Sequence, residues 1–60
     1  MYIFEAHYIN MDNDEEIIRK IEFSEQFFES EKECYMYAMG TAYSMKQDNE
    51  LLGSVEFIAC

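Results

Sequence analysis

The segment 30–47, SEKECYMYAMGTAYSMKQ, constrains the fold most, because it is the chain's one long pattern that is typical of a helix. Ser30 and Glu33 have the spacing of a capping box, in which the serine side chain accepts from the N3 amide and the glutamate reaches back to the serine amide. The segment is rich in Ala and Met, and its apolar residues recur at i, i+3, i+4 and i+7, which favours a helix over a strand. We predict a helix from Ser30 to about Gln47, with Asn49 as the left-handed residue after its end.

Two apolar stripes run along this predicted helix. One consists of Cys34, Ala38, Thr41, Ala42 and Met45, and the other of Tyr35, Ala38, Met39, Ala42 and Tyr43. Both contain Ala38 and Ala42, so we place these two small residues at the centre of the buried face. Gly40 costs a helix about 1 kcal/mol relative to Ala, which indicates either a close backbone contact or a tolerated weakness. The larger side chains left over, Met36 with Tyr37 or Tyr43, form a second candidate contact surface.

Three other segments alternate between apolar and polar residues as strands do: 2–10, 16–23 and 51–59. The turn-forming residues Asp12, Asn13 and Asp14 separate the first two, which predicts a hairpin. The segment 24–29 connects the hairpin to the helix. Either Phe27 and Phe28 plug the open end of the core there, or Ser24 caps an early turn of helix.

The element lengths decide the topology. A helix of about 17 residues rises roughly 25 Å, which is close to the span of a strand of about eight residues. The chain therefore returns to where the helix began, and the third strand runs in the same direction as the second. A right-handed crossover that skips one neighbour places the third strand beside the first. The prediction is one α+β domain, residues 1–60, with the order ββαβ: a three-stranded antiparallel sheet, order 2-1-3, with one helix on one face.

Strand alternation predicts which side chains face the helix. They are Tyr2, Phe4, Ala6, Tyr8, Ile17, Arg19, Ile21, Phe23, Leu51, Gly53, Val55, Phe57 and Ala59. Arg19 fits this face only at a sheet edge, with its stem packed and its guanidinium in water. A β-bulge at Gly53 would shift the phase of the third strand by one residue.

The opposite sheet face is the predicted partner-binding site, because one helix covers only one face. Its candidate residues are Ile3, Glu5, Ile9, Ile18, Glu22, Leu52, Glu56 and Ile58. Five large aliphatic side chains on an open sheet predict an interaction patch, although antiparallel sheets often have an ordinary solvated face. We predict a homodimer as well, because a chain of 60 residues gains stability by associating. Association through a sheet edge is the other possibility, because either outer strand would offer unpaired backbone groups to a partner strand.

The chain carries 13 Asp and Glu against 4 Lys and Arg, a formal net charge of -9. This charge opposes direct binding to nucleic acid or to an anionic membrane, which are both recognised through basic patches. The charge would instead attract a basic protein that normally binds nucleic acid. The carboxylates concerned lie on the sheet face, at the hairpin tip and in the first helical turn (Glu29, Glu31 and Glu33). In size and composition the chain resembles small acidic accessory proteins of phages and mobile elements, and that resemblance implies an inhibitor that mimics DNA. The alternative is that the acidity only keeps a small protein soluble.

No motif of catalysis or ligand binding occurs in the sequence. His7 has no nucleophile placed beside it by a motif, and the acidic run from Asp12 to Glu16 lacks the glycine and the spaced glutamate of an EF-hand. Cys34 and Cys60 lack metal-ligand spacing and are interpreted as reduced thiols of a cytoplasmic chain. No apolar run approaches the roughly 18 residues of a membrane span. We predict a non-enzymatic protein-interaction module without catalytic residues, cofactor or metal. A self-associating structural domain is the alternative, and a small enzyme or metal binder around His7 is less favoured.

Overall fold

The computed structural model of the chain describes residues 1–24 and 29–59. These residues form strands β1 (Tyr2–Asn10) and β2 (Glu16–Phe23), helix α1 (Glu31–Met45) and strand β3 (Glu50–Ala59). β1 pairs antiparallel with both other strands, in the order β2-β1-β3. The predicted ββαβ fold and strand order are therefore confirmed. The plug predicted for Phe27 and Phe28, and the terminal Cys60, lie outside the described residues.

The hairpin between β1 and β2 is closed by its turn-forming residues. The Asp14 amide donates to the Asn10 carbonyl at 2.7 Å, and Asp14 has a φ of 59°, in the left-handed region that Asp tolerates. The Asn10 side chain accepts from the Asp12 amide at 2.9 Å, and the Asn13 side chain accepts from the Glu15 amide at 3.0 Å. These side chains stabilise the turn in the way the sequence predicts.

Helix α1 begins as predicted and ends earlier than predicted. The Ser30 hydroxyl accepts from the Glu33 amide at 3.2 Å, which confirms the serine half of the capping box. After Met45 the chain leaves the helix at once, since Lys46 is extended with φ -66° and ψ 133°.

The prediction of a left-handed Asn49 is wrong. Asp14 is the only non-glycine residue with positive φ in the described ranges 1–24 and 29–59. Asn49 lies in a turn closed by the Glu50 amide, which donates to the Gln47 carbonyl at 3.1 Å. Its side chain donates to the Asp12 carboxylate at 3.0 Å, so Asn49 connects this turn to the hairpin tip.

The core lies between α1 and one face of the sheet. Its buried side chains are Phe4, Ala6, Tyr8, Ile21, Cys34, Ala38, Ala42 and Val55. The small residues Ala38 and Ala42 are 0% exposed at its centre, as predicted. The buried stripe is the one that contains Cys34, because Tyr43 of the other stripe is 66% exposed. Gly40 makes no close contact: a Cβ there would meet nothing within 4 Å in the described part of the chain.

Strand β3 contains two register shifts that change which of its residues face the helix. Ser54 pairs with His7 but Leu52 pairs with Tyr8, so Gly53 is an extra residue in the ladder. A Cβ on Gly53 would lie 3.3 Å from the His7 carbonyl oxygen, which is why glycine suits this close approach. The bulge considered from the sequence is therefore present.

These shifts correct three predicted orientations. Leu52, predicted on the outer face and in the partner site, packs against the core. Leu51, predicted to face the helix, is 55% exposed and pairs with Ile9 on the opposite face. Ala59, also predicted to face the helix, pairs with Ile3 and is exposed, because a second shift follows Phe57. Phe57 lies on its predicted helix side and contacts Phe4, with 5.4 Å between the ring centroids.

Arg19 lies at the β2 edge on the helix side of the sheet, and its head group is paired rather than solvated. Its two guanidinium nitrogens donate to the two carboxylate oxygens of Glu50 at 2.7 and 2.8 Å, and its guanidinium carbon lies 4.6 Å from the centre of the Tyr8 ring. Glu50 is only 3% exposed and also accepts from the Gln47 amide at 2.9 Å. The hydrogen bonds from Arg19 and Gln47 lower the pKa of Glu50 to about 2.

Candidate protein-interaction surface

The sheet face opposite α1, called the outer face below, is covered by no described element of the chain. Strand pairing arranges its side chains in four rows that cross β2, β1 and β3. The rows are Glu16, Ile9 and Leu51; Ile18, His7 and Ser54; Lys20, Glu5 and Glu56; and Glu22, Ile3 and Ala59. The backbone of three paired strands therefore fixes the relative positions of these groups, as a rigid docking surface requires.

Exposed aliphatic side chains lie together at one end of the outer face. Ile9, Ile18 and Leu51 are 44%, 52% and 55% exposed. Ile9 pairs directly with Leu51, and Ile18 lies in the adjacent row on β2. We call these three residues the apolar patch. Ile58 is 49% exposed near the other end of β3, within the second register shift.

A histidine surrounded by carboxylates occupies the middle of the outer face. His7 Nε2 lies 3.3 Å from a carboxylate oxygen of Glu56 and 3.5 Å from one of Glu5, while Nδ1 lies 3.4 Å from one of Glu16. The His7 side chain is 18% exposed, whereas the Glu56 and Glu16 side chains are 57% and 62% exposed. Nε2 is buried and has no hydrogen-bond partner in the described part of the chain. We call His7 with Glu5, Glu16 and Glu56 the His7 cluster.

The charge of the outer face is negative. Its four rows contain the glutamates 5, 16, 22 and 56 but one lysine, Lys20. Lys20 forms an ion pair with Glu22 at 2.9 Å, and both side chains are well exposed. The His7 cluster therefore keeps three carboxylates that this ion pair does not neutralise.

The outer face holds most of the residues proposed from the sequence for the partner site. Ile3, Glu5, Ile9, Ile18, Glu22 and Glu56 lie on it, Ile58 is exposed at its end, and Leu52 does not belong to it. Leu51 and Glu16 were missed. Strand alternation extended by one step from Ile18 would have found Glu16, whereas Leu51 required the bulge at Gly53. The role of these residues in binding stays a prediction.

The exposed side of α1 carries a second set of large side chains. Met36, Tyr37 and Tyr43 are 63%, 59% and 66% exposed, so the side chains predicted to be left over from the buried face are exposed. Tyr37 packs edge-on against Phe23, with 5.2 Å between the ring centroids. At one end of the helix, a cleft of about 290 Å³ lies between Tyr35 and Phe57.

Among residues 1–24 and 29–59, no three His, Cys, Asp or Glu side chains are placed to hold a metal ion. In the His7 cluster the carboxylates approach different ring nitrogens, Glu5 and Glu56 at Nε2 but Glu16 at Nδ1.

Cys34 is buried, and desolvation raises the pKa of its thiol. Within the described ranges, no helix has the length and apolar character needed to cross a membrane.

Comparisons of the chain with protein-family models, curated proteins and solved structures found no match.

Proposed function

We propose that the chain is a non-enzymatic interaction module that binds a basic protein through its outer face. The observation that carries this proposal is the juxtaposition of an exposed apolar patch with the carboxylates of the His7 cluster on one uncovered sheet face. Interfaces commonly combine apolar anchors with a polar rim in this way. The proposed contact residues are the apolar patch, the His7 cluster, Glu22, Ile3 and Ile58.

Charge is the reason for choosing a basic partner over a second copy of the chain. Four glutamates and one lysine face outwards here, so stacking two outer faces would oppose like charges across the interface, which costs free energy. A basic surface relieves that repulsion and is also steered towards the chain, since the whole chain carries a net charge of -9.

The sharper form of the proposal is an inhibitor that occupies the basic cleft of a nucleic-acid-binding protein, of the kind that phages and mobile elements encode. Its support is electrostatic. A cleft built to hold phosphates presents Lys and Arg side chains, and Glu5, Glu16 and Glu56 offer negative groups at fixed positions on a sheet. The alternative is a self-associating structural module that buries the apolar patch between two copies.

The test begins with the immobilised protein, a cell lysate at low salt and elution with a salt step. Each eluted protein is then purified, and its affinity is measured at several salt concentrations and in competition with DNA. We expect affinity to fall steeply with salt, because the interaction is between exposed charges, and we expect DNA to displace the chain. Glu56→Lys, on the outer face, should weaken binding by about tenfold, because it removes one attraction and adds one repulsion. Asp48→Lys makes the same change of charge in the loop before β3 and should leave most of the affinity intact.

The outcomes separate the two proposals. Binding that is insensitive to salt, or equally sensitive to Glu56→Lys and Asp48→Lys, would contradict a contact made by the carboxylates of the outer face. The other outcome is that the immobilised protein retains only its own copies, and that sedimentation shows a dimer which Ile18→Glu dissociates. That result would contradict the proposal of a basic partner and support self-association.

A further inference from the structure

We propose that His7 makes the outer face sensitive to pH, so that the chain binds its basic partner well near neutral pH and less well in mild acid. This inference rests on the proposed function and adds its regulation. His7 is the chain's one histidine, and histidine is the side chain that ordinarily changes charge between about pH 5 and 8. It also lies in the middle row of the outer face rather than at its margin.

The hydrogen-bonding pattern of the neutral ring leaves one side of it unsatisfied. A neutral His7 protonated at Nδ1 donates to Glu16, across a distance of 3.4 Å. Its Nε2 then presents a lone pair to the oxygens of Glu56 and Glu5, at 3.3 and 3.5 Å. Nε2 and the carboxylate oxygens of Glu5 and Glu56 are then three acceptors with no donor between them. This arrangement favours outward, solvated positions for the side chains of Glu5 and Glu56.

Protonation reverses this arrangement. A proton taken up from solvent at Nε2 turns both ring nitrogens into donors and gives the cluster one positive charge. Glu5 and Glu56 are then attracted to the ring from one side and Glu16 from the other. The face loses one unit of net negative charge, and the remaining carboxylates are occupied within the chain. Both effects weaken the electrostatic attraction between the outer face and a basic partner.

The other groups around His7 do not compensate for this change. On β2, Ile18 pairs with His7, and Lys20 is already bound to Glu22. On β3, the residue opposite is Ser54, whose hydroxyl lies 3.5 Å from the Glu56 carboxylate. On the opposite side of the sheet, the neighbours of His7 in β1 are the buried Ala6 and Tyr8. The neighbours of His7 outside its cluster are therefore apolar, uncharged or already in an ion pair.

The test uses the whole chain and a ten-residue polylysine peptide as the basic probe, with affinity measured at pH 7.5 and 5.5 in low salt. Lysine is charged at both pH values, and Asp and Glu ordinarily titrate near pH 4. We expect binding to weaken by about threefold at the lower pH, the size of effect typical of one exposed charge pair. His7→Gln cannot take up the proton and should bind about equally at both pH values. Glu22→Gln, which removes a negative charge outside the His7 cluster, should weaken binding at both while keeping the dependence on pH.

A second measurement on the free protein makes the inference independent of the probe. Between pH 7.5 and 5.5, the NMR amide signals of Glu5, Glu16 and Glu56 should move in the natural protein and stay in place in His7→Gln. Static signals, or an equal loss of affinity in His7→Gln, would overturn the inference. Movement of the signals without any binding of the peptide would instead overturn the proposed function, and with it the link from His7 to a partner.

Discussion

Arg19 on β2 and Glu50 at the start of β3 are joined by two parallel hydrogen bonds, although β1 lies between their strands. The pair reaches over the ring of Tyr8, whose hydroxyl donates to the Ala42 carbonyl of α1 at 2.6 Å. Glu50 also accepts from the Gln47 amide, just after the helix. This group of contacts therefore connects all three strands to the C-terminal end of the helix.

Glu50→Gln should lower the melting temperature at pH 7 by about 5 °C or more in a domain of this size. The change leaves the Arg19 guanidinium without its carboxylate partner, and breaking one half of such a pair costs more than replacing both halves. Thermal unfolding followed by circular dichroism measures the effect. Arg19→Met combined with Glu50→Gln should be less destabilised than the sum of the two single variants. Full additivity would show that the two side chains are not coupled.

Acid should remove the contribution of Glu50 to stability. Its pKa falls from 4.5 to about 2 on folding, so the stabilisation is complete above the unfolded value and is lost as the pH falls through the folded one. The difference in melting temperature between the natural protein and Glu50→Gln should be constant above about pH 5.5 and should shrink towards zero near pH 2. A difference that does not change over this range would contradict the lowered pKa. Glu33→Gln, at an exposed site, is the matched control.

Tyr8→Phe should destabilise the fold by about 1 to 2 kcal/mol, because it deletes a buried donor and leaves the Ala42 carbonyl without it. The ring remains, so the packing beneath Arg19 is retained. Denaturant unfolding at pH 7 gives the free energy. Tyr43→Phe removes a hydroxyl from a side chain that is 66% exposed and should change stability by less than about 0.5 kcal/mol. Equal effects of the two substitutions would show that the bond to Ala42 contributes nothing.

Gly40→Ala should stabilise the protein by about 0.5 to 1 kcal/mol, because the added methyl meets nothing within 4 Å in the described ranges and alanine favours the helix. Ala38→Leu is the informative contrast two residues earlier. Ala38 is 0% exposed against the sheet, so the larger side chain should cost about 1 to 3 kcal/mol by overpacking. Denaturant unfolding compares both variants. Destabilisation by Gly40→Ala would indicate a close contact at the exposed face of α1.

Most of the fold could be predicted because local signals agree with one another. The bounds of β1 and β2, the cap at Ser30 and the order of the strands all follow from alternation, capping chemistry and the handedness of a crossover. The buried pair Ala38 and Ala42 follows from the overlap of two stripes. Each of these features depends on residues close in sequence, or on a rule that excludes the alternatives.

The orientation of the first residues of β3 could not be predicted from the strand alone. Leu51 and Leu52 are adjacent and equally apolar, so hydrophobic alternation fits either phase. The useful signal was distant: Arg19 on the helix face requires an acidic partner, and Glu50 supplies it only when Leu52 faces the core. Glu16 of the His7 cluster was missed for a different reason: alternation on β2 was not carried back one step from Ile18, which would have placed Glu16 on the outer face.

The extra residue in β3 makes the strand unusually tolerant of one change in length. Glu50 and Leu52 point to the helix side, as do Val55 and Phe57, and Gly53 is the surplus residue between the two sets. A single-codon deletion at Gly53 would join them into regular alternation from Glu50 to Phe57, and all the remaining side chains would keep their faces. The same deletion at Val55 would remove a core residue and would bring Glu56 into its place in the chain. Gene variants that are one residue shorter in β3 should therefore survive selection for folding at position 53 and be lost at position 55.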